Sequence, residues 1–342
     1  MKNNYVKLLR CINREHTNEL LEWLECHNFF TVPASKVNHN NFKGGLLKHS
    51  LEVCNEALAL HHELELQKAE EASAISKESL VIASLLHDVC KWNVFYISPN
   101  DGHVRRNNKA AQEGHGLKSV RIIEETGFRL SEDEKLAIWW HMGKAHEPSY
   151  AGHEKQYEES LSNPLCNLIR KADYNATHLK ERFEAAIRGL KLQNGEHLLE
   201  YLGNSNFYTK NCSSHHHYAT GLVAHSLGVC RHILEICEES ERHDAAVVAL
   251  LHDIADQNRT PGYHGHGWRS MMILKERLQM DLPGEVFNMI RFHKNSDRSR
   301  SANEQALLDD TRKIPLFHKL TASDHFDAGH DITDVYKHYI SD

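Results

Sequence analysis

The chain has 342 residues, enough to bury one large core or two of about 150 residues, and its 25% charged and 40% hydrophobic composition fits an ordinary globular protein and excludes disorder over most of its length. A formal net charge of -7 argues against a broad phosphate-tracking surface, while local basic clusters still suit a small anionic ligand. No apolar run approaches the roughly 18 residues of a membrane span, no signal-peptide pattern opens the chain, and the eight cysteines contain no Cys-x-x-Cys pair, so a cytoplasmic protein with reduced thiols is expected.

The residue pattern predicts helices almost throughout. After Gly45-Leu-Leu-Lys-His49-Ser, the residues Leu47, Leu51, Cys54 and Leu58 step by four, three and four, the spacing of an amphipathic helix. At about 100° per residue, His49 lies half a turn from that stripe and faces something other than the stripe's core. The run Leu80-Val-Ile-Ala-Ser-Leu-Leu is apolar all round, as in a helix buried at the middle of a bundle, and it ends at His87-Asp88. An imidazole and a carboxylate placed there are costly to desolvate without a partner, and either a metal ion or a hydrogen-bonded pair supplies one. A long connection carrying Arg105, Arg106 and Lys109 leads to Gly-His115-Gly-x-x-Ser. A third helix, from Glu134 through Trp139 and Trp140, runs into His141; a fourth starts at Pro164, where proline suits a first helical turn, and carries Asp173.

The same order then recurs. Gly221-Leu-Val-Ala-His225-Ser opens a stripe of Val223, Leu227, Cys230 and Leu234; Ala245-Ala-Val-Val-Ala-Leu-Leu ends at His252-Asp253; Gly-His266-Gly, Phe292-His293 and Ser323-Asp324 follow. His115 to His266, Pro164 to Pro315 and Asp173 to Asp324 are each 151 apart, which internal duplication explains better than chance. A His-Asp dipeptide alone is weak evidence, since His243-Asp244 and His330-Asp331 fall outside the pattern; the repeated context carries the weight. The copies differ most between the His-Asp pair and the next histidine, 28 positions from His87 to His115 against 14 from His252 to His266. Glycines 189, 195 and 203 interrupt helical segments and predict a boundary, giving a first domain over 1–195 and a second over 196–342.

The expected metal ligands are His49, His87, Asp88, His115, His141 and Asp173 in the first copy and His225, His252, Asp253, His266, His293 and Asp324 in the second. His49, His87, Asp88 and Asp173 suffice for one ion, and His115 and His141 can hold another bridged by Asp88. A donor set of imidazole and carboxylate suits one or two divalent ions per domain, drawn from Mn, Fe, Ni, Co, Zn or Mg.

The order His, His-Asp, His, His, Asp is similar to that of the HD superfamily of metal-dependent phosphohydrolases, over residues 28–178 and again over 206–328. Leu-Leu-His87-Asp88-Val-Cys-Lys91, Gly-His115-Gly-x-Lys-Ser and Ala-Ile-Trp-Trp-His141-Met-Gly resemble bacterial and phage HD-domain hydrolases. Pro33-Ala-Ser-x-x-x-His39-x-x-Phe-x-Gly-Gly-Leu also resembles HD-domain 3′→5′ exoribonucleases, but the segment before Phe29 is too short for their OB-type module. The resemblance implies an all-α fold, two tandem HD-type helical bundles related by duplication, and hydrolysis of a phosphoester or phosphoanhydride of a nucleotide or similar small phosphorylated compound. In that chemistry Asp88 is the central catalytic ligand, Lys91 neutralises the phosphate or the leaving oxygen, and Arg105, Arg106 and His39 are substrate contacts. The position matching Lys91 in the second copy is Asp256, which repels phosphate, so catalysis is expected in the first copy, with Arg269, Arg291 and Lys294 as the cations near the second ligand set. The alternatives are a 3′→5′ exonuclease on short single-stranded RNA or DNA and a non-catalytic, metal-bound nucleotide sensor. No membrane partner is expected.

Overall fold

The computed structural model describes residues 1–36, 40–111, 115–210, 221–255, 265–294 and 301–329. These residues are all-α apart from one short hairpin, and they divide into two compact units, 1–177 and 178–329, each with its own buried apolar cluster.

In the first unit the helix Lys77–Leu86 is central. Leu80 through Leu86 are buried on every side, and the helix packs against Gly45–Leu66, Glu132–Trp140, Pro164–Thr177 and Lys2–Ile12. Each such Leu, Ile or Val contributes about 1.5–3 kcal/mol by leaving water. Ser76 caps the start of this helix, with its Oγ accepting from Ser79 N at 3.4 Å. Ser131 and Glu134 form a reciprocal capping box at the start of Glu132–Trp140. Glu134, fully buried, also accepts from Arg14 Nη1 at 2.6 Å and from Ser79 Oγ at 2.8 Å, so one carboxylate ties the starts of both helices together. The two helices therefore run side by side in one direction, and their far ends deliver His87 and His141 to one place.

The helix Gly45–Leu66 differs from the expected amphipathic stripe. Residues 45 through 51 are buried all round, and the polar face emerges only further along. The basic connection is not a plain loop either. Strands Phe95–Ile97 and Val104–Arg106 pair antiparallel, with Phe95 opposite Arg106 and Tyr96 opposite Arg105, and the hairpin packs against the turn Val89–Asn93.

The second unit repeats this layout in outline. Helix Gly221–Ile236 packs against Arg242–Leu251 and Pro315–Gly329, while His266–Met272 packs against Gly284–Phe292. The expected boundary after residue 195 is corrected to 177/178. Phe183 and Ile187 of helix Leu179–Gly189 belong to the same buried cluster as Leu198, Leu199 and Leu202 of Gly195–Gly203, so burial assigns both helices to the second unit. Gly189 and Gly195 mark helix ends within that unit, not a junction between domains.

Candidate metal centre

Four histidines sit where helices stop, and the helix end orients each of them. His87, His141, His252 and His293 are the C-cap residues of Lys77–Leu86, Glu132–Trp140, Arg242–Leu251 and Gly284–Phe292. The last carbonyls of a helix lack intrahelical donors, and each imidazole supplies one. Nδ1 of His87 lies 2.8 Å from Ser84 O, that of His141 2.7 Å from Ile138 O, that of His252 2.7 Å from Ala249 O and that of His293 2.7 Å from Ile290 O. A carbonyl only accepts, so Nδ1 carries the proton and Nε2 turns inward with its lone pair available.

In the first unit these nitrogens meet carboxylates from two directions. His49, on helix Gly45–Leu66, places Nε2 3.1 Å from His87 Nε2, 3.3 Å from Asp88 Oδ2 and 3.2 Å from Asp173 Oδ1. His115 Nδ1 is 3.4 Å and His141 Nε2 3.7 Å from the other Asp88 oxygen, Oδ1. Lys91, one 3-10 turn on, sets Nζ 2.5 Å from Asp88 Oδ2. Four histidines and Lys91 thus surround the buried Asp88 carboxylate, and Asp173 joins them through His49 and His87.

Their charges are strongly coupled. Burial opposes protonation of His49, but Asp173 and Asp88 outweigh it and hold the imidazole up at about 9. Burial pushes His87 and His115 down, with Asp88 offsetting part of the effect. Asp88 stays well below the usual carboxylate range: burial raises it, and Lys91 and His87 more than compensate. Asp173 is lowered against its own burial by His49.

The residues fit a metal ion. Asp88 Oδ1 and His141 Nε2 are both buried without a hydrogen-bond partner, although they lie 3.7 Å apart. Leaving a buried polar atom unsatisfied costs about 1–3 kcal/mol, and a divalent cation between such atoms removes that cost. The triads His49, His87, Asp173 and His87, Asp88, His141 each bring three donor atoms close enough for one ion.

The second unit has nearly the same geometry. His225 Nε2 is 3.2 Å from His252 Nε2 and 3.2 Å from Asp324 Oδ1, while Asp253 Oδ1 is 3.1 Å from His266 Nε2 and 3.3 Å from His293 Nε2. The first two rings of each set are 5.1 Å apart, at 67° in one unit and 69° in the other. Both units also use the Gly-His-Gly-x-x-Ser motif alike. Ser119 Oγ accepts from Cys90 N and Ser270 Oγ accepts from Ala255 N, each at 3.1 Å. A Cβ at Gly116 would lie 1.9 Å from Trp139 O and one at Gly267 2.6 Å from Ile290 O, so only glycine lets the next helix abut the chain that carries His141 or His293.

The proposed substrate contacts are placed less directly. Arg105 pairs with Asp101 at 2.6 Å on the exposed hairpin, and Arg106 is exposed on the same hairpin. His39 and Asp256 lie outside the described residues. In the second unit Lys294 sets Nζ 3.0 Å from Asp324 Oδ2, so that centre also has a lysine on a ligand carboxylate, supplied by a different helix end, while Arg291 is held by Glu304.

Three residues escaped the sequence pattern. Glu147 Oε2 accepts from Gly116 N at 2.9 Å and caps the helix that follows His115. Asp327 Oδ2 is 2.6 Å from His225 Nδ1 and shares a helix face with Asp324, a signal that three-residue spacing carries. Cys90 Sγ lies 3.6 Å from His115 Nδ1, a contact that depends on the turn after Asp88.

No curated protein and no solved structure matches the chain. A family model does, with the description HD domain, over residues 46–177, a segment that contains every expected ligand of the first unit. That segment of the first unit is thus an HD domain.

Proposed function

We propose that the first unit hydrolyses a phosphoester or phosphoanhydride of a nucleotide or a similar small phosphorylated compound, and that the second unit is a duplicated HD-type unit with its own metal centre. The observation that carries this reading is the convergence of His49, His87, His115 and His141 on buried Asp88, whose Oδ1 has no hydrogen bond, with Asp173 reaching His49 from the other side. The matched distances, serine contacts and glycine approaches of the second unit support duplication.

Divalent ions held by these side chains supply Lewis acidity, which lowers the pKa of water from about 15.7 towards 7 and offsets charge on phosphoryl oxygens. The remaining work falls to the protein. His87 and His141 are pinned by helix carbonyls, so the donor set is ordered before substrate arrives. Lys91 holds a positive charge beside Asp88: burial works against that charge, but Asp88 and Asp173 together hold the amine above its usual range. His115 has 28% of its side chain exposed while His49, His87 and His141 have 1% or less, so substrate enters along the His115 side. The seven cysteines among the described residues form no disulfide, and no helix among them is long and apolar enough to cross a membrane; a cytoplasmic setting is part of this proposal.

The test is metal analysis of the purified protein, followed by phosphate-release and oligonucleotide-digestion panels on wild type, Asp88→Ala and Asp253→Ala. Asp88→Ala is expected to lose metal from the first unit and to lower phosphate release more than about 100-fold, whereas Asp253→Ala retains it. Full metal content and full activity in Asp88→Ala would overturn the assignment. Loss of turnover in Asp253→Ala alone would transfer catalysis to the second unit.

A further inference from the structure

The two centres differ at one position in a way that changes their chemistry. Two residues beyond Asp88 the first unit has Cys90; two residues beyond Asp253 the second has Ala255. Both backbones are fixed identically, by an N–H donated to the serine of the next helix. An alanine methyl satisfies the packing at Ala255, which is buried, so the sulfur of Cys90 is not demanded by the fold.

The sulfur faces the centre. Cys90 Sγ is 3.6 Å from His115 Nδ1, which is in turn 3.4 Å from Asp88 Oδ1, and the three donor atoms lie mutually within ligand range. Asp88 is 1% exposed, and its Oδ1, aimed at this position, has no hydrogen-bond partner. A tetrahedral ion with nitrogen and oxygen ligands at about 2.0–2.2 Å and sulfur at about 2.3 Å has ligand-to-ligand edges of about 3.3–3.6 Å, which these separations match. The His115 ring is also turned relative to its counterpart. It presents Nδ1 to the carboxylate and the sulfur, whereas His266 presents Nε2 to Asp253.

We propose that Cys90 Sγ, His115 Nδ1 and Asp88 Oδ1 form a thiolate-containing position for a thiophilic divalent cation such as zinc or cobalt, present in the first unit and absent from the second. The proposal rests on the metal-centre reading above and deepens it: Asp88 bridges two chemically different positions, one of imidazole and carboxylate and one that includes sulfur. Binding breaks the S–H bond, releases its proton to water and forms a sulfur–metal bond. Three protein ligands leave one coordination place for water or substrate, on the partly exposed His115 side. Soft sulfur biases this position away from magnesium and towards zinc, cobalt or iron.

The test uses the full chain, stripped of metal with a chelator and loaded with cobalt(II), alongside Cys90→Ala and Cys90→Ser. Ala255 shows that alanine is compatible with this backbone position, and circular dichroism checks that each variant is folded. Wild type is expected to show a near-ultraviolet sulfur-to-cobalt charge-transfer band, both variants to lack it, and elemental analysis to find cobalt still bound at the imidazole and carboxylate positions. Cobalt bound to wild type without the band, or a band that survives in Cys90→Ala, overturns the thiolate position while leaving the metal centre standing. Failure of the wild type to bind any cobalt, zinc or manganese overturns both.

Discussion

His225 is held at both ring nitrogens. Nε2 faces Asp324 and His252, while Nδ1 lies 2.6 Å from Asp327 Oδ2. Burial works against protonation, yet Asp324 and Asp327 hold the imidazole up at about 10. Asp327 comes this close because its neighbour across the helix pair is Gly228, where a Cβ would lie 1.9 Å from Asp327 Oδ1. The residues at the corresponding positions of the first unit are Ala176 and Glu52, so the aspartate has no counterpart at that position. A carboxylate behind a ligating imidazole fixes its tautomer and makes it a better donor. Asp327→Asn, which removes the charge but keeps the size, is therefore expected to weaken metal binding by the second unit about 10–100-fold. Calorimetric titration in an Asp88→Ala background reads the second centre alone, and unchanged affinity there would remove Asp327 from the metal site. Residue by residue, the histidines and aspartates that cluster in each unit were legible because the sequence spells them twice in the same order. Cys90 was not, because helix Lys77–Leu86 ends before it and the following 3-10 turn, which no periodicity announces, sets its direction.

Elements deliver these residues through their two ends. Arg14 is shared by Glu78, at the start of Lys77–Leu86, and Glu134, at the start of Glu132–Trp140, with Nη2 2.5 Å from Glu78 Oε1 and Nη1 2.6 Å from Glu134 Oε2. Glu134 is buried, so removing Arg14 strands a carboxylate that Ser79 Oγ and Ser131 N can satisfy only in part. Arg14→Ala is expected to cost about 3 kcal/mol in chemical denaturation, towards the lower end for a broken buried pair because Arg14 keeps some contact with water. A loss below 1 kcal/mol would show that the hydroxyl and amide donors suffice. Long apolar runs such as Leu80 to Leu86 made the helices legible, since burial on every side leaves an unmistakable pattern. The hairpin at Phe95 and Val104 was not legible: three-residue strands are too short for alternation to register, so the stretch carrying Arg105 and Arg106 read as a plain connection. The boundary failed for a related reason, because Gly189 and Gly195 look the same in sequence whether they end a domain or only a helix.

At the scale of the whole molecule, each unit closes its own apolar cluster: Leu80 through Leu86 with Ile138 and Ile169 in the first, and Val247 through Leu251 with Ile290 and Leu320 in the second. A self-contained core is the physical requirement for folding as a unit, so calorimetry of the full chain is expected to show two unfolding transitions, with a fragment over 1–177 reproducing one of them. Each transition should carry its own metal linkage. An ion that binds only the folded state at about 100 times its dissociation constant stabilises it by about 2.7 kcal/mol, which raises the midpoint of a unit this size by about 5–10 °C. A strong chelator should therefore lower both midpoints in the wild type. In Asp88→Ala only the second transition should still respond, because the first unit has lost the carboxylate on which its ligands converge; in Asp253→Ala the roles reverse. A single transition that shifts as one under chelator, and responds equally to either substitution, would show instead that the two centres stabilise one cooperative fold.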